Sequence, residues 1–180
     1  STGLRIGEAL SLKNADVDLK TGMLTVHQTK FGKSRQVPVH PSTLDALRRY
    51  RSRRDLAGDS YAEDSAFFVG SRGRLRGRPL GDRQVHRVFA ELRRQLGWPN
   101  RGAHHAARIH DLRHTFVVRR IVQWQVNNVD IDEAMLSLST YVGHAMVTNT
   151  YWYLSAVPEL MALAAARFES FVSHAEVQDA

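Results

Sequence analysis

The chain has no cysteine among its 180 residues. Neither a disulfide framework nor a thiolate metal site can therefore hold it together, which suits a reducing, cytoplasmic setting. It also lacks any apolar run near the roughly eighteen residues that a membrane span takes, and no signal-peptide pattern opens it. Acidic residues are in the minority, with 18 Asp and Glu against 25 Lys and Arg and a formal net charge of +7. That balance points to a polyanionic partner, nucleic acid before acidic lipid. The remaining composition, 43% hydrophobic and 24% charged, is that of one globular domain able to bury a core.

The bases are clustered. Arg48, Arg49, Arg51, Arg53 and Arg54 fall in one stretch, and Arg72, Arg74, Arg76 and Arg78 in another. The second set alternates with Gly and Pro and reads as a flexible basic loop able to follow a phosphate backbone. Along the chain, Leu4, Ile6, Ala9 and Leu10 suggest a first helix, and Asp16 to Gly22 reads as a turn. Met23–Val26 and Arg35–Val39 read as two strands joined by the polar hairpin Thr29–Ser34. A helix opens at Pro41-Ser42, and Ala66–Val69 is expected to be a short strand. Asp82 is expected to cap a helix ending near Gly97, and another begins near His110. Asp130 or Asp132 caps a further helix that Gly143 ends. Tyr151–Leu154 reads as a short segment before a last helix from Val157, with Leu160, Leu163, Ala164 and Phe168 on its apolar face. The expected fold class is α+β, mainly helical with a small antiparallel β-sheet.

Several residues carry chemical potential that none of them proves alone. His110 and His114 are one helical turn apart, a metal-seating distance, but Asp111 stands where a zinc protease would need Glu and no third ligand is evident. No metal and no cofactor are therefore expected. Glu8 follows Arg5 by three residues, so it can hold that arginine in place. Tyr151 and Tyr153 flank Trp152 and could be core aromatics.

Taken together, these residues resemble the tyrosine recombinases, the lambda-integrase-like or phage integrase family. Thr2-Gly3-Leu4-Arg5-Ile6-Gly7-Glu8-Ala9-Leu10 is similar to the family's first box. His110-Asp111-Leu112-Arg113-His114 resembles its second, a His-x-x-Arg signature. Val142-Gly143-His144, with Tyr153 nine residues on, resembles the third box and its nucleophile. Lys30 falls in the hairpin that carries an active-site lysine in this family, with Lys33 as its competitor. The stretch between Arg113 and Gly143 departs from the family's pattern in lacking a glycine often found there.

The resemblance implies a site-specific DNA recombinase that cleaves and rejoins double-stranded DNA through a covalent 3′-phosphotyrosine, without metal or ATP. Arg5 and Arg113 would grip the non-bridging oxygens with forked donors. His144 would add a donor, His110 would donate or shuttle a proton, and Lys30 would protonate the leaving 5′-hydroxyl. Tyr153 would attack phosphorus, with Tyr151 as the rival nucleophile. Glu8 would support Arg5, and Lys33, Arg35, Arg72, Arg74 and Arg76 would contact DNA. The family pattern also implies a DNA-clamping domain before the first box, so residues 1–180 are expected to be a catalytic domain lacking that amino-terminal part. A tetramer on DNA is expected of the full-length protein, and the last helix either packs on its own core or docks on a neighbouring subunit. Two rival readings remain at this point: type IB topoisomerase-like relaxation, and a catalytically silent DNA-binding module. The DNA site and the biological role are not encoded in these motifs.

Overall fold

The computed structural model describes residues 2–27, 34–56, 62–98 and 106–156, together with 158, 161, 162 and 165. Two units divide the chain, residues 1–114 and 115–180.

In the first unit, α1 (Ile6–Leu10) leads through a 3-10 turn at Asn14–Asp16 into β1 (Val17–Asp18), β2 (Met23–Val26) and β3 (Arg35–Pro38). The strands form an antiparallel sheet of order β1-β2-β3, with Leu24 opposite both Val17 and Val37 and with Val26 opposite Arg35. Alternation decides which face is buried: Leu24, Val26 and Val37 are sequestered, while Met23 and Thr25 are only half-covered. Pro38 has no N–H for a ladder, and β3 tolerates it as an edge strand. The segment expected to be turn-like contains β1, because Val17 is pulled into the core and brings Asp18 opposite Met23.

Two more helices complete this unit, α2 (Pro41–Asp55) and α3 (Asp82–Gln95). The Nδ1 of His40 accepts the Ser42 N–H at the start of α2, and Pro41 takes the first helical position. Ala66–Val69 is not a strand. Only isolated bridges form there, Lys13 with Ala66 and Val69 with Pro79. Burial of Phe67 and Val69, rather than a ladder, holds the segment, and Tyr50 supports it by packing on Phe67 and Phe68 and accepting the Val69 N–H at 2.9 Å. Asp82 is the first residue of α3 and not its cap; Gly81 holds that place.

The unit boundary falls within α4 (Ile109–Val126). In the second unit, Val117 and Ile121 of α4 pack with Met135, Leu138 and Val142 of α5 (Ile131–Val142) and with Tyr153 of α6 (Thr148–Ala156). The four-, three- and four-residue steps keep these side chains on one face of each helix. Asp130 caps α5 by accepting the N–H groups of Asp132 and Glu133. Gly143 ends it with φ of 70°, a left-handed conformation that glycine adopts without strain. Tyr151–Leu154, expected to be a short segment, lies inside α6. Most of the helix expected from Val157, including Leu160, Leu163, Ala164 and Phe168, lies outside the described residues.

Candidate active site

The first-box residues sit where the chain enters α1. Gly3 turns with φ of 62°, and Arg5 is the extended residue immediately before the helix. Glu8 closes this start: its Oε2 accepts the Arg5 N–H at 2.9 Å, and its Oε1 accepts from Arg5 Nη1 at 3.1 Å. The i,i+3 spacing thus brings Glu8 onto Arg5, as its sequence position suggested. A second arginine joins them. Arg35, at the start of β3, lays its two Nη groups on the two Glu8 oxygens at 3.1 and 3.0 Å. The Arg35 and Glu8 side chains are only 9% and 11% exposed, whereas Arg5 is 43% exposed. Burial pushes the Glu8 carboxyl up, but the hydrogen bonds and charges of Arg35 and Arg5 outweigh it and hold it below the usual range.

Arg35, expected among the DNA contacts, is here covered and fully engaged by the Glu8 carboxylate within the first-box cluster. Sequence reasoning missed this pairing because 27 residues separate the partners.

The second box opens α4. Asp111 accepts the Arg108 N–H at 2.8 Å and its Nη2 at 3.0 Å, anchoring the first turn with an acid where the helix dipole favours one. Arg113, buried, points to the first box and donates from Nη1 to the Gly3 carbonyl. His110 and His114 meet edge to face, 4.6 Å between ring centres. Burial lowers the pKa of both. The positive charges of Arg113, Arg108 and Arg5 lower His110 further, and His110, Arg108 and Arg113 do so for His114, against an upward pull from Asp111. Both rings therefore favour the neutral form. Among the described residues, no three His, Asp or Glu side chains converge as metal ligands.

In the second unit, the Gly143 turn presents His144, whose Nδ1 lies 2.7 Å from the buried Thr150 Oγ1. Its ring stacks nearly parallel to Tyr153, centres 6.5 Å apart. Tyr153 is 4% exposed, while Trp152 beside it is largely in solvent. Tyr151 differs: its hydroxyl donates to Asp132 Oδ1 at 3.1 Å, and that hydrogen bond, with the carboxylate's charge, raises its pKa. A phenol that donates to a carboxylate resists ionisation, which disfavours Tyr151 as a phenolate.

Residues 1–159 match the Phage integrase family. The chain belongs to that family. A protein of Sinorhizobium fredii named as an integrase/recombinase, y4rB, is 43% identical over 169 residues, which cover 93% of this chain and 52% of that protein. Among solved structures, the XerA recombinase matches with a TM-score of 0.67 and 26% identity, over 93% of this chain and 52% of its own. The XerH recombinase bound to a palindromic difH substrate, a post-cleavage complex, matches at 0.63 and 23% identity, over 93% of this chain and 43% of its own. This phage integrase chain thus spans about half the length of the relatives it matches. Its mainly helical fold with a small antiparallel sheet is the one expected.

The basic loop of this phage integrase chain is more ordered than a flexible hairpin. Gly73–Leu75 forms a 3-10 turn, and a Cβ on Gly70 would lie 2.3 Å from the Leu75 carbonyl oxygen, so only glycine fits there. Arg72, Arg74 and Arg76 are all exposed on it. Arg54 is not: it is buried and donates to Asn14 Oδ1 and the Phe67 carbonyl, so it is not a backbone contact of the α2 arginine cluster. Lys30 and Lys33 lie outside the described residues. No described helix is long and apolar enough to cross a membrane.

Proposed function

We propose that this chain is the catalytic domain of a site-specific DNA recombinase that cuts and rejoins double-stranded DNA through a 3′-phosphotyrosine on Tyr153. The observation that carries the reading is family membership with Arg5, His110, Arg113, His144 and Tyr153 all standing in their boxes. In-line attack adds negative charge to the non-bridging phosphate oxygens, and Arg5 and Arg113 supply forked donors to bind it. His144 adds a donor to the same phosphate. His110, kept neutral by its surroundings, can accept or relay a proton at pH 7. Lys30, with Lys33 as the alternative, protonates the 5′-oxygen as it leaves.

The tyrosine O–P bond forms as the P–O5′ bond breaks, so the energy of the phosphodiester is kept in the adduct. A 5′-hydroxyl from another strand can then reverse the step, which needs no ATP, and the arginines take the charge-neutralising role that a metal fills elsewhere. Exchanging both strands of two duplexes takes four cleavages and hence four tyrosines, which supports a tetramer on DNA. The relatives' additional length accommodates an amino-terminal DNA-clamping domain, and the whole protein would act on DNA in the cytoplasm.

The test is a pool of randomised duplexes, each carrying a nick so that the released strand diffuses away. Denaturing gels should show a covalent protein–DNA adduct that Tyr153→Phe abolishes. No adduct from the unsubstituted protein overturns the reading.

A further inference from the structure

We infer that Arg35 is a positioning residue of the cleavage site, fixing the Glu8 carboxylate so that Glu8 in turn sets the orientation of Arg5. The inference rests on the strand-cleavage reading above, in which Arg5 binds the scissile phosphate. Each Glu8 oxygen is held twice: Oε1 by Arg5 Nη1 and an Arg35 Nη1, Oε2 by the Arg5 N–H and Arg35 Nη2, all between 2.9 and 3.1 Å. A planar fork on both oxygens leaves the carboxylate no rotation about its own axis. Because the same oxygens hold the Arg5 main chain and side chain, fixing that plane fixes both.

The exposures run in the same direction. Arg35 and Glu8 are nearly covered, and Arg5 is the member of the trio that reaches solvent. Two guanidiniums on one carboxylate leave the trio with one net positive charge. Arg5 and Glu8 alone would be a neutral pair, less attractive to an anion, so Arg35 contributes charge as well as geometry. Its position adds a mechanical link. Arg35 opens β3 directly after the stretch that contains Lys30, and its backbone pairs with Val26. The ion pair with Glu8 therefore ties β3 to the first box.

The experiment compares Arg35→Lys, which keeps the charge and loses the fork, with Glu8→Gln, which keeps the shape and loses the charge. Both are read in the nicked-duplex assay under single turnover at saturating DNA, with thermal unfolding and the salt dependence of DNA affinity measured beside it. The expected result is adduct formation about 10- to 100-fold slower in either variant, the cost of a misplaced catalytic group, with the salt slope unchanged. In an Arg5→Lys background the further loss from Arg35→Lys should largely vanish, because both substitutions act through one group.

In Arg35→Gln, which removes the charge, a salt slope reduced by about 0.9 with an unchanged rate at saturation would make Arg35 a phosphate contact and overturn the inference. Full additivity with Arg5→Lys would overturn it as well. If Arg35→Lys does not fold, Glu8→Gln carries the same expectation alone. Unsubstituted protein that yields no Tyr153 adduct instead overturns the strand-cleavage reading, an outcome distinct from a parent and variants that cleave equally.

Discussion

Replacing Arg54 with alanine should unfold the first unit far more readily, although the residue sits in the arginine-rich helix that its charge alone would assign to DNA. Its Nη1 donates to Asn14 Oδ1 at 2.9 Å and to the Phe67 carbonyl at 2.7 Å, and its guanidinium lies 5.4 Å from the centre of the Phe67 ring. A buried acceptor left without its donor costs about 1–3 kcal/mol. Losing the two methylenes beyond Cβ adds at most about 2 kcal/mol, less where the site collapses. Removing one partner of a buried charged network costs about 3–5 kcal/mol in comparable cases, and that range is adopted here. At roughly 2–4 °C per kcal/mol for a chain of this size, the melting temperature should drop by about 6–20 °C. Arg54→Met, which keeps most of the stem, should lose less, and the exposed neighbour Arg53→Ala should stay within about 0.5 kcal/mol of the parent. Calorimetry together with DNA titrations at several salt concentrations tests the argument. An Arg54→Ala protein that melts like the parent while its salt slope falls by about 0.9 would show that the side chain serves DNA and not the core.

Further outcomes follow from the same geometry. Tyr151→Phe should still form the covalent adduct and Tyr153→Phe should not, and an adduct lost only with Tyr151 would reverse the assignment. Gly143→Ala should cost about 1–2 kcal/mol, because φ is 70° there, and should slow adduct formation by displacing His144, as paired melting and single-turnover measurements would show. Folded Glu8 binds fewer protons than unfolded Glu8 between its lowered pKa and the ordinary value of about 4.3. The stability it contributes is thus fully present above that value and is lost as pH falls through the folded pKa, and Glu8→Gln should flatten this part of a melting-versus-pH curve. His110 is lowered below the ordinary value of about 6.5, so the midpoint of any acidic fall in the cleavage rate should lie below that of a free imidazole, as a pH–rate profile would show. Substituting Arg72, Arg74 and Arg76 together by alanine should reduce the salt slope by about 2.7 if each meets one phosphate, with little change in melting temperature.

What the sequence made legible was local. The second box occupies consecutive turns of one helix, so the step from His110 to Arg113 is visible in the letters. The Asp130 cap and the Gly143 stop are also single-residue signals with a direct backbone cause. The misreadings needed partners far along the chain. Ala66–Val69 has strand-like residues, but only Lys13 lies beside Ala66, and the rest of a ladder never forms. Val17 joins a strand because Leu24 is opposite it, which no local propensity signals. The aromatic run Tyr151–Leu154 hides its helix, since three bulky residues in a row show no 3.6-residue period. For the tyrosines, spacing pointed to Tyr153, and the hydrogen bond that disfavours ionisation of Tyr151 comes from Asp132, 19 residues away.

The same limit applies to charge. A net excess of seven bases says that an anion is favoured without saying which cations face it. Arg54 is consumed by the core and Arg35 by Glu8, while Arg51 pairs with Asp55 at 2.8 Å and Arg94 with Glu91 at 2.6 Å. In α2, Arg48 donates to the Leu19 carbonyl at 2.7 Å, so that helix is in good part a structural strut. The loop bearing Arg72, Arg74 and Arg76 has the opposite character, exposed and braced at a position where only Gly70 fits. Under the proposed function, gripping a phosphate strongly at one point and tracking a backbone weakly elsewhere needs both kinds of arginine. On the proposed reading, the first kind is held by carboxylates and carbonyls, which set its direction, and the second is exposed, where counterion release would supply affinity without sequence preference. Arg5 stands between these classes, fixed by Glu8 on one side and open to solvent on the other, which suits it to the phosphate-binding role proposed for it.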